Sequence, residues 1–82
     1  MTAAELIAQA ARRLSDAGVP EPELDAKLLF LEAFHMDQVH FLMNRMRPLA
    51  EEQRTQQETY EAMIDRRSAR VPVQQILGSQ EF

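Results

Sequence analysis

The two histidines, His35 and His40, are the side chains of this sequence best suited to bind a metal or move a proton. They stand five positions apart, so on a helix they would point about 140° away from each other instead of towards a shared ligand. The sequence has no cysteine, and structural zinc sites take four ligands, mostly from cysteine and histidine. We therefore predict no metal site and interpret both histidines as polar residues at a helix junction.

The hydroxyl and carboxyl side chains also lack the surroundings of a catalytic site. No serine or threonine stands in a recognisable nucleophile turn with a histidine close in sequence. Gly18 and Gly78 are isolated, so there is no glycine-rich phosphate loop. The pair Glu51-Glu52 stands where a helix is expected to begin, and the helix dipole explains it. The sequence predicts no catalytic and no cofactor-binding residue.

Three arginines near the end of the chain, Arg66, Arg67 and Arg70, are the candidate partner-binding residues. Guanidinium groups bind phosphates and the carboxylates of an acidic protein surface. Arg66 and Arg70 share one helix face if the helix continues that far. The alternative is that these arginines interact with their own helix dipole and pair with Glu58, Glu61 or an acid elsewhere in the chain.

Three methionines, Met36, Met43 and Met46, surround a short predicted helix. Flexible thioether side chains are typical of adaptable binding surfaces, so this group is a candidate docking patch. Packing in the core is the competing interpretation.

Composition limits what the whole chain can be. With 82 residues it forms one domain, and two glycines and four prolines are too few for an all-β fold with many tight turns. No apolar stretch approaches the roughly 20 residues of a membrane span, and no signal peptide is visible. The net charge of −4 is opposite to that of a non-specific nucleic-acid binder. The absence of cysteine fits a cytoplasmic protein.

Helical periodicity and capping residues predict five helices and no strand. A capping box from Thr2 to Glu5 begins the first helix, which runs from about Ala3 to Ala17 and stops at Gly18. The second helix begins at Pro22 and ends near His35. One stripe of this helix is expected to form the centre of the core and consists of Leu24, Leu28, Leu31 and Phe34. It is widened by Ala26, Leu29, Phe30 and Ala33.

The remaining three helices differ in length. Asp37 is the expected N-cap of a short third helix. A long helix opens at Ala50-Glu51-Glu52 and continues to about Ser68, with an exposed first half and a packed second half. Pro72 starts a last short helix that is closed by Gly78. The predicted fold is thus all-α, a compact bundle of about five helices with short third and fifth helices.

The end of the chain resembles a known junction. Residues 66–82 carry the pattern Arg-Arg, Pro72, Ile76-Leu77-Gly78 and Glu81-Phe82, which is similar to a segment of the release factor glutamine methyltransferases, the HemK/PrmC family. A looser pattern of the same family is matched upstream by Leu14, Gly18, Pro20, Asp25, Ala26, Leu28, Leu29 and Tyr60. The resemblance covers nearly the whole chain.

The resemblance implies a methyltransferase with two domains. In that family the whole enzyme transfers a methyl group from S-adenosylmethionine to the glutamine side chain of the Gly-Gly-Gln loop in peptide chain release factors. Its catalytic Asn-Pro-Pro-Tyr motif and glycine-rich cofactor loop belong to the C-terminal domain, and neither occurs in these 82 residues. We therefore expect residues 1–78 to be the N-terminal helical domain and residues 79–82 to begin a linker to an absent methyltransferase domain.

The resemblance also implies the partners of this domain. It would help to bind the release factor, would lie beside its own C-terminal methyltransferase domain, and would have no activity alone and no contact with nucleic acid or membrane. Two positions depart from the family pattern, with Arg70 where glycine is frequent and Gln75 where tyrosine is frequent. If Arg70 ends a helix, it must take a positive φ or the helix must end differently.

Two alternatives come from the residues alone. The short third helix and the late arginines fit a helix-turn-helix module that binds nucleic acid, although the acidic net charge opposes it. The residues around the third helix, rich in methionine and phenylalanine, fit a module for oligomerisation or protein interaction.

Overall fold

The computed structural model describes residues 1–78 and forms five α-helices in this range. They are α1 (Ala3–Asp16), α2 (Pro22–Ala33), α3 (Gln38–Asn44), α4 (Arg54–Ser68) and α5 (Val73–Gly78). A 3₁₀ turn, Glu51–Gln53, precedes α4. The described residues contain no strand, only an isolated antiparallel bridge between Thr2 and Pro48. The all-α prediction is confirmed, while the predicted linker at 79–82 lies outside the described residues.

The ends of α1 follow the predicted capping residues. The Thr2 hydroxyl accepts a hydrogen bond from the Glu5 amide at 3.1 Å, and the Glu5 carboxylate accepts one from the Thr2 amide at 2.8 Å. These two bonds satisfy amides that have no partner inside the helix. The helix ends at Asp16, one residue before the prediction, with Ala17 as C-cap, and Gly18 takes the left-handed φ of 85°.

The face of α2 that enters the core differs from the prediction. Leu24 and Leu28 are 47% and 39% exposed. The residues that were expected only to widen the stripe form the core side, since Ala26, Leu29 and Phe30 are fully buried. From the predicted stripe itself, Phe34 is buried with them. The physical reason is that α2 is apolar on nearly every side, so its own periodicity does not select which face packs.

Aromatic side chains from three helices meet on α2. The ring of Phe30 stacks on Phe34 with centroids 4.2 Å apart, and Phe41 of α3 and Tyr60 of α4 meet it edge-on at 5.8 and 5.6 Å. The buried Tyr60 hydroxyl donates a hydrogen bond to the carbonyl of Ala26 at 2.8 Å. This cluster makes α2 the centre of the core, as the sequence predicted.

The second half of α4 packs as expected, and the first half is mostly polar and partly or fully exposed. Tyr60, Met63 and Ile64 are buried, and α5 closes the core with the fully buried Ile76. Two of the turns between helices contain a left-handed residue that is not glycine. His35 has a φ of 53° after α2, and Arg70 has a φ of 73° after α4. The sequence predicted either a positive φ at Arg70 or a different end of the helix, and the structure has the positive φ.

We expect the phenol of Tyr60 to make stability depend on pH in alkaline solution. Burial raises the pKa of Tyr60, so its neutral form is favoured in the folded state and its contribution is complete below about pH 10, the ordinary pKa of tyrosine. Above that pH the contribution is lost. Urea unfolding of the native chain is expected to show this loss, and the Tyr60→Phe variant is expected to show less of it.

The measurement has an internal control, because the sequence contains one tyrosine and no tryptophan. Ultraviolet absorbance of tyrosinate therefore reports Tyr60 alone. At neutral pH, Tyr60→Phe should cost about 1 kcal/mol, the net value of one hydrogen bond. Ionisation of the folded chain at the ordinary tyrosine pKa would contradict the burial argument.

Arg70→Gly should stabilise the domain by about 0.5–1 kcal/mol, because glycine adopts positive φ without the steric cost of a Cβ atom. Arg70→Ala is the matched control, since it removes the same guanidinium group but keeps the Cβ atom. Thermal and urea unfolding of both variants isolate the backbone contribution. Equal stabilities of the glycine and alanine variants would show that this turn carries no strain.

Candidate interaction surface

The structure places the three candidate arginines in different surroundings. Arg67 lies mostly inside the domain, where its Nε donates to the Asp25 carboxylate at 2.9 Å and its Nη1 donates to the Val71 carbonyl at 3.2 Å. The side chains of Arg67 and Asp25 are only 17% and 12% exposed. Arg66 is half-buried and Arg70 is exposed, and α4 ends at Ser68 before it could align these two on one helix face.

The pair of Asp25 and Arg67 joins the start of α2 to the end of α4. Asp25 is the buried acidic residue among those described, and a buried carboxylate is tolerated when a guanidinium group neutralises it. The bond from Arg67 to Val71 extends this link to the turn before α5. The pairing of one arginine with an acid elsewhere in the chain was an alternative of the sequence analysis, but the identity of the acid was not predicted.

Arg70 lies against the turn between α1 and α2. A Cβ atom placed on Gly18 would lie 2.8 Å from Nη2 of Arg70. The end of α4 therefore touches the end of α1 through an exposed guanidinium group on a left-handed residue. We call this region, formed by Arg66, Arg67, Arg70 and Gly18, the arginine corner.

The other candidate surface is α3, which is fixed to the domain by a few contacts. Asp37 caps it by accepting a hydrogen bond from the His40 amide at 2.8 Å, and this bond lowers the pKa of Asp37. Phe41 is its one buried residue and contacts Phe30. After the helix, the Arg45 carbonyl accepts a hydrogen bond from the Ala4 amide at 2.9 Å.

The outer side of α3 is apolar and exposed. Three large apolar side chains of α3 and one in the turn that follows it stand at the spacing i, i+3, i+4 and i+7, which normally marks a buried helix face. All are more than half exposed: Val39 by 63%, Leu42 by 51%, Met43 by 70% and Met46 by 71%. We call these four residues the α3 face. The predicted methionine patch is therefore exposed for Met43 and Met46, whereas Met36 is partly buried against the core.

Sequence reasoning missed the outer leucines of α2. Leu24 and Leu28 lie one turn apart on the side of the helix opposite the core, with the partly buried Leu31 beyond them. The available signal was that α2 has apolar residues on two opposite sides. A second apolar side is more than one core needs.

The two histidines also lie in different surroundings. His40 Nδ1 lies 2.8 Å from the Asp37 carboxylate in the first turn of α3. His35 lines a polar groove of about 490 Å³ between the end of α2 and the start of α4, together with Glu32 and Glu52. Within residues 1–78, no three histidine or acidic residues are placed to hold a metal ion, and no helix is long and apolar enough to cross a bilayer.

Comparison with known proteins identifies relatives along the whole length of the chain. The model of the PrmC N-terminal domain matches residues 5–78. Release factor glutamine methyltransferases of Deinococcus radiodurans, Agrobacterium fabrum and Bifidobacterium longum are 35%, 39% and 38% identical to it. The alignments cover 95%, 96% and 100% of this chain but 27%, 26% and 28% of the relatives. The chain thus spans about a quarter of their length. No solved structure matches it.

We expect Arg67→Met to destabilise the domain by about 3 kcal/mol, because it leaves the Asp25 carboxylate buried without a partner. The double variant Asp25→Asn with Arg67→Met should recover part of that loss, which a double-mutant cycle measures by urea unfolding. Arg13→Met is the matched control. Its ion pair with Asp65 is more than half exposed on both sides, so the loss should stay below about 1 kcal/mol. Equal losses for Arg67 and Arg13 would contradict a structural role of the buried pair.

Proposed function

The chain belongs to the family of PrmC N-terminal domains, and we propose that it serves a release factor glutamine methyltransferase by helping to hold the release factor. The observation that carries this proposal is the match of the family model to residues 5–78, together with three release factor glutamine methyltransferases aligned over nearly all of the chain. The exposed apolar α3 face and the arginine corner supply surfaces of the kind that bind proteins.

The proposed reaction of the whole enzyme is methylation of the glutamine in the Gly-Gly-Gln loop, with S-adenosylmethionine as methyl donor. Residues 1–78 do not fit a site for that cofactor. Gly18 belongs to a helix-ending turn and Gly78 to the end of α5, so neither is part of the glycine-rich turn that follows a strand in nucleotide-binding folds. We assign the cofactor and the catalytic residues to a C-terminal methyltransferase domain. We place the enzyme in the cytoplasm.

This domain would then act by positioning its substrate. Binding energy gained far from the reacting atoms lowers the entropic cost of bringing the glutamine to the methyl donor. In this proposal Arg66 and Arg70 contribute charge to docking at the arginine corner. Arg67 acts there by keeping the corner in shape, because its guanidinium group is engaged by Asp25 and Val71.

Titration of the isotope-labelled chain with a purified release factor tests the proposal. We expect amide chemical shifts to change in a confined set of residues, because docking touches one surface while the helical core stays as it is. An unrelated acidic protein of similar size is the control for non-specific contact. Unchanged spectra at about millimolar release factor, where even a weak complex would be populated, would count against docking by this domain.

A further inference from the structure

We infer that the α3 face, Val39, Leu42, Met43 and Met46, is the main docking surface for the release factor, and that it binds an apolar patch bordered by carboxylates. The inference rests on the proposed function and specifies where on the domain the partner binds. It takes up the candidate methionine patch of the sequence analysis, of which Met43 and Met46 belong to this face, and ranks it above the arginine corner.

The first argument is that α3 is ordered without its apolar side being covered. A helix of seven residues is not stable in water by itself, and α3 is held in place by contacts on its other side and at its ends. These contacts are the buried ring of Phe41, the Asp37 cap and the bond between the Ala4 amide and the Arg45 carbonyl. The apolar spacing of the α3 face is therefore not explained by the core of this domain.

The second argument is the local charge. Residues 38–50 contain Arg45 and Arg47 and no acidic residue, whereas the rest of the sequence has seven basic and thirteen acidic side chains. Both arginines are exposed, and they stand on either side of Met46 in the sequence. Lys27 of α2 adds a third cation beside α3, with its ammonium group 5.8 Å from the centre of the Phe41 ring. Apart from the Asp37 carboxylate, which caps the start of α3, the border is basic on an otherwise acidic domain. A basic border selects a partner surface whose border is acidic.

The third argument is the type of side chain. Two of the four residues on the α3 face are methionines, which adapt their shape to irregular apolar surfaces. A groove of about 270 Å³ borders the same segment, lined in part by Met36, Asn44, Arg47 and Leu49. A side chain of the partner inserted there would contact the apolar Met36 and Leu49 beside the amide of Asn44 and the guanidinium group of Arg47. Because α3 is already folded, docking on it does not carry the entropic cost of ordering a helix.

The arginine corner is the weaker candidate for the main surface. The guanidinium group of Arg67 is already engaged within the domain, and the guanidinium group of Arg70 lies against Gly18. Charged residues at the rim of an interface chiefly affect the rate of association, and well-packed, fully desolvated residues near its centre contribute most of the affinity.

Calorimetric titration of the 82-residue chain with a purified release factor tests the inference. The double variant Leu42→Gln with Met43→Gln should weaken binding by about ten-fold or more, the effect of losing an interface anchor. Leu24→Gln with Leu28→Gln is the matched control, because it replaces two exposed apolar residues of α2 by the same polar side chain. The control should bind within about two-fold of the native chain, the range of energetically neutral positions around an interface anchor.

A second pair of variants tests the charge argument. Arg45→Gln with Arg47→Gln should weaken binding by a few-fold and reduce its dependence on salt, whereas Arg70→Gln should have less effect. Circular dichroism and thermal unfolding of every variant check that the helices are retained, as is expected for exposed positions.

The outcomes separate the inference from the proposed function. If the native chain binds the release factor and the α3 variant binds equally well, the inference is wrong and the proposed function stands. If the native chain does not bind at all, both fail. If the native chain sediments as a dimer and the variant Leu42→Gln with Met43→Gln sediments as a monomer, the α3 face binds a second copy of the chain. If the same variant of the full enzyme loses the contact between the two domains but still binds the release factor, the α3 face binds the methyltransferase domain.

Discussion

The hydrogen bond from the Tyr60 hydroxyl to the Ala26 carbonyl joins α4 to α2, the helix at the centre of the core. Around it, Phe30, Phe34 and Phe41 form a cluster of ring contacts in which α2, α3 and α4 share one buried volume. A small domain buries a smaller fraction of its surface than a large one. Its core can therefore be built around one central helix against which the others pack. The ring contact of Phe41 with Phe30 joins α3 to this helix, and the ion pair of Arg67 with Asp25 joins the arginine corner to it.

The parts of the fold that could be predicted from the sequence are those set by local chemistry. The capping box of Thr2 and Glu5, the left-handed Gly18 and the Asp37 cap each depend on residues a few positions apart, and the structure confirms all three. The orientation of α2 could not be predicted in this way. Its leucines occupy both sides of the helix, and only packing against α1 and α4 decides that Leu29 is buried and Leu28 is exposed.

The candidate interaction surface shows the same difference between features set by local sequence and features set by tertiary packing. The three arginines were visible as a group in the sequence, but the partner of Arg67 is 42 positions away and becomes apparent only in the folded chain. This removes one of the three charges on which the nucleic-acid alternative was based. The outward direction of the α3 face also depends on tertiary structure, since its spacing alone is typical of a buried face. A single buried residue on the opposite side, Phe41, decides the direction.

The attachment of α3 to the start of the chain has a consequence for how this surface can change. The segment after α3 is held by backbone groups, with the Ala4 amide on the Arg45 carbonyl and the Leu49 amide on the Met1 carbonyl at 2.9 and 2.8 Å. Bonds between backbone groups do not depend on side-chain identity. Substitutions at Val39, Leu42, Met43 and Met46 can therefore alter what the helix recognises without altering where it stands. In engineering terms, the proposed docking helix can be given new outward side chains while its position is kept, which suits it to retargeting the domain towards a different protein.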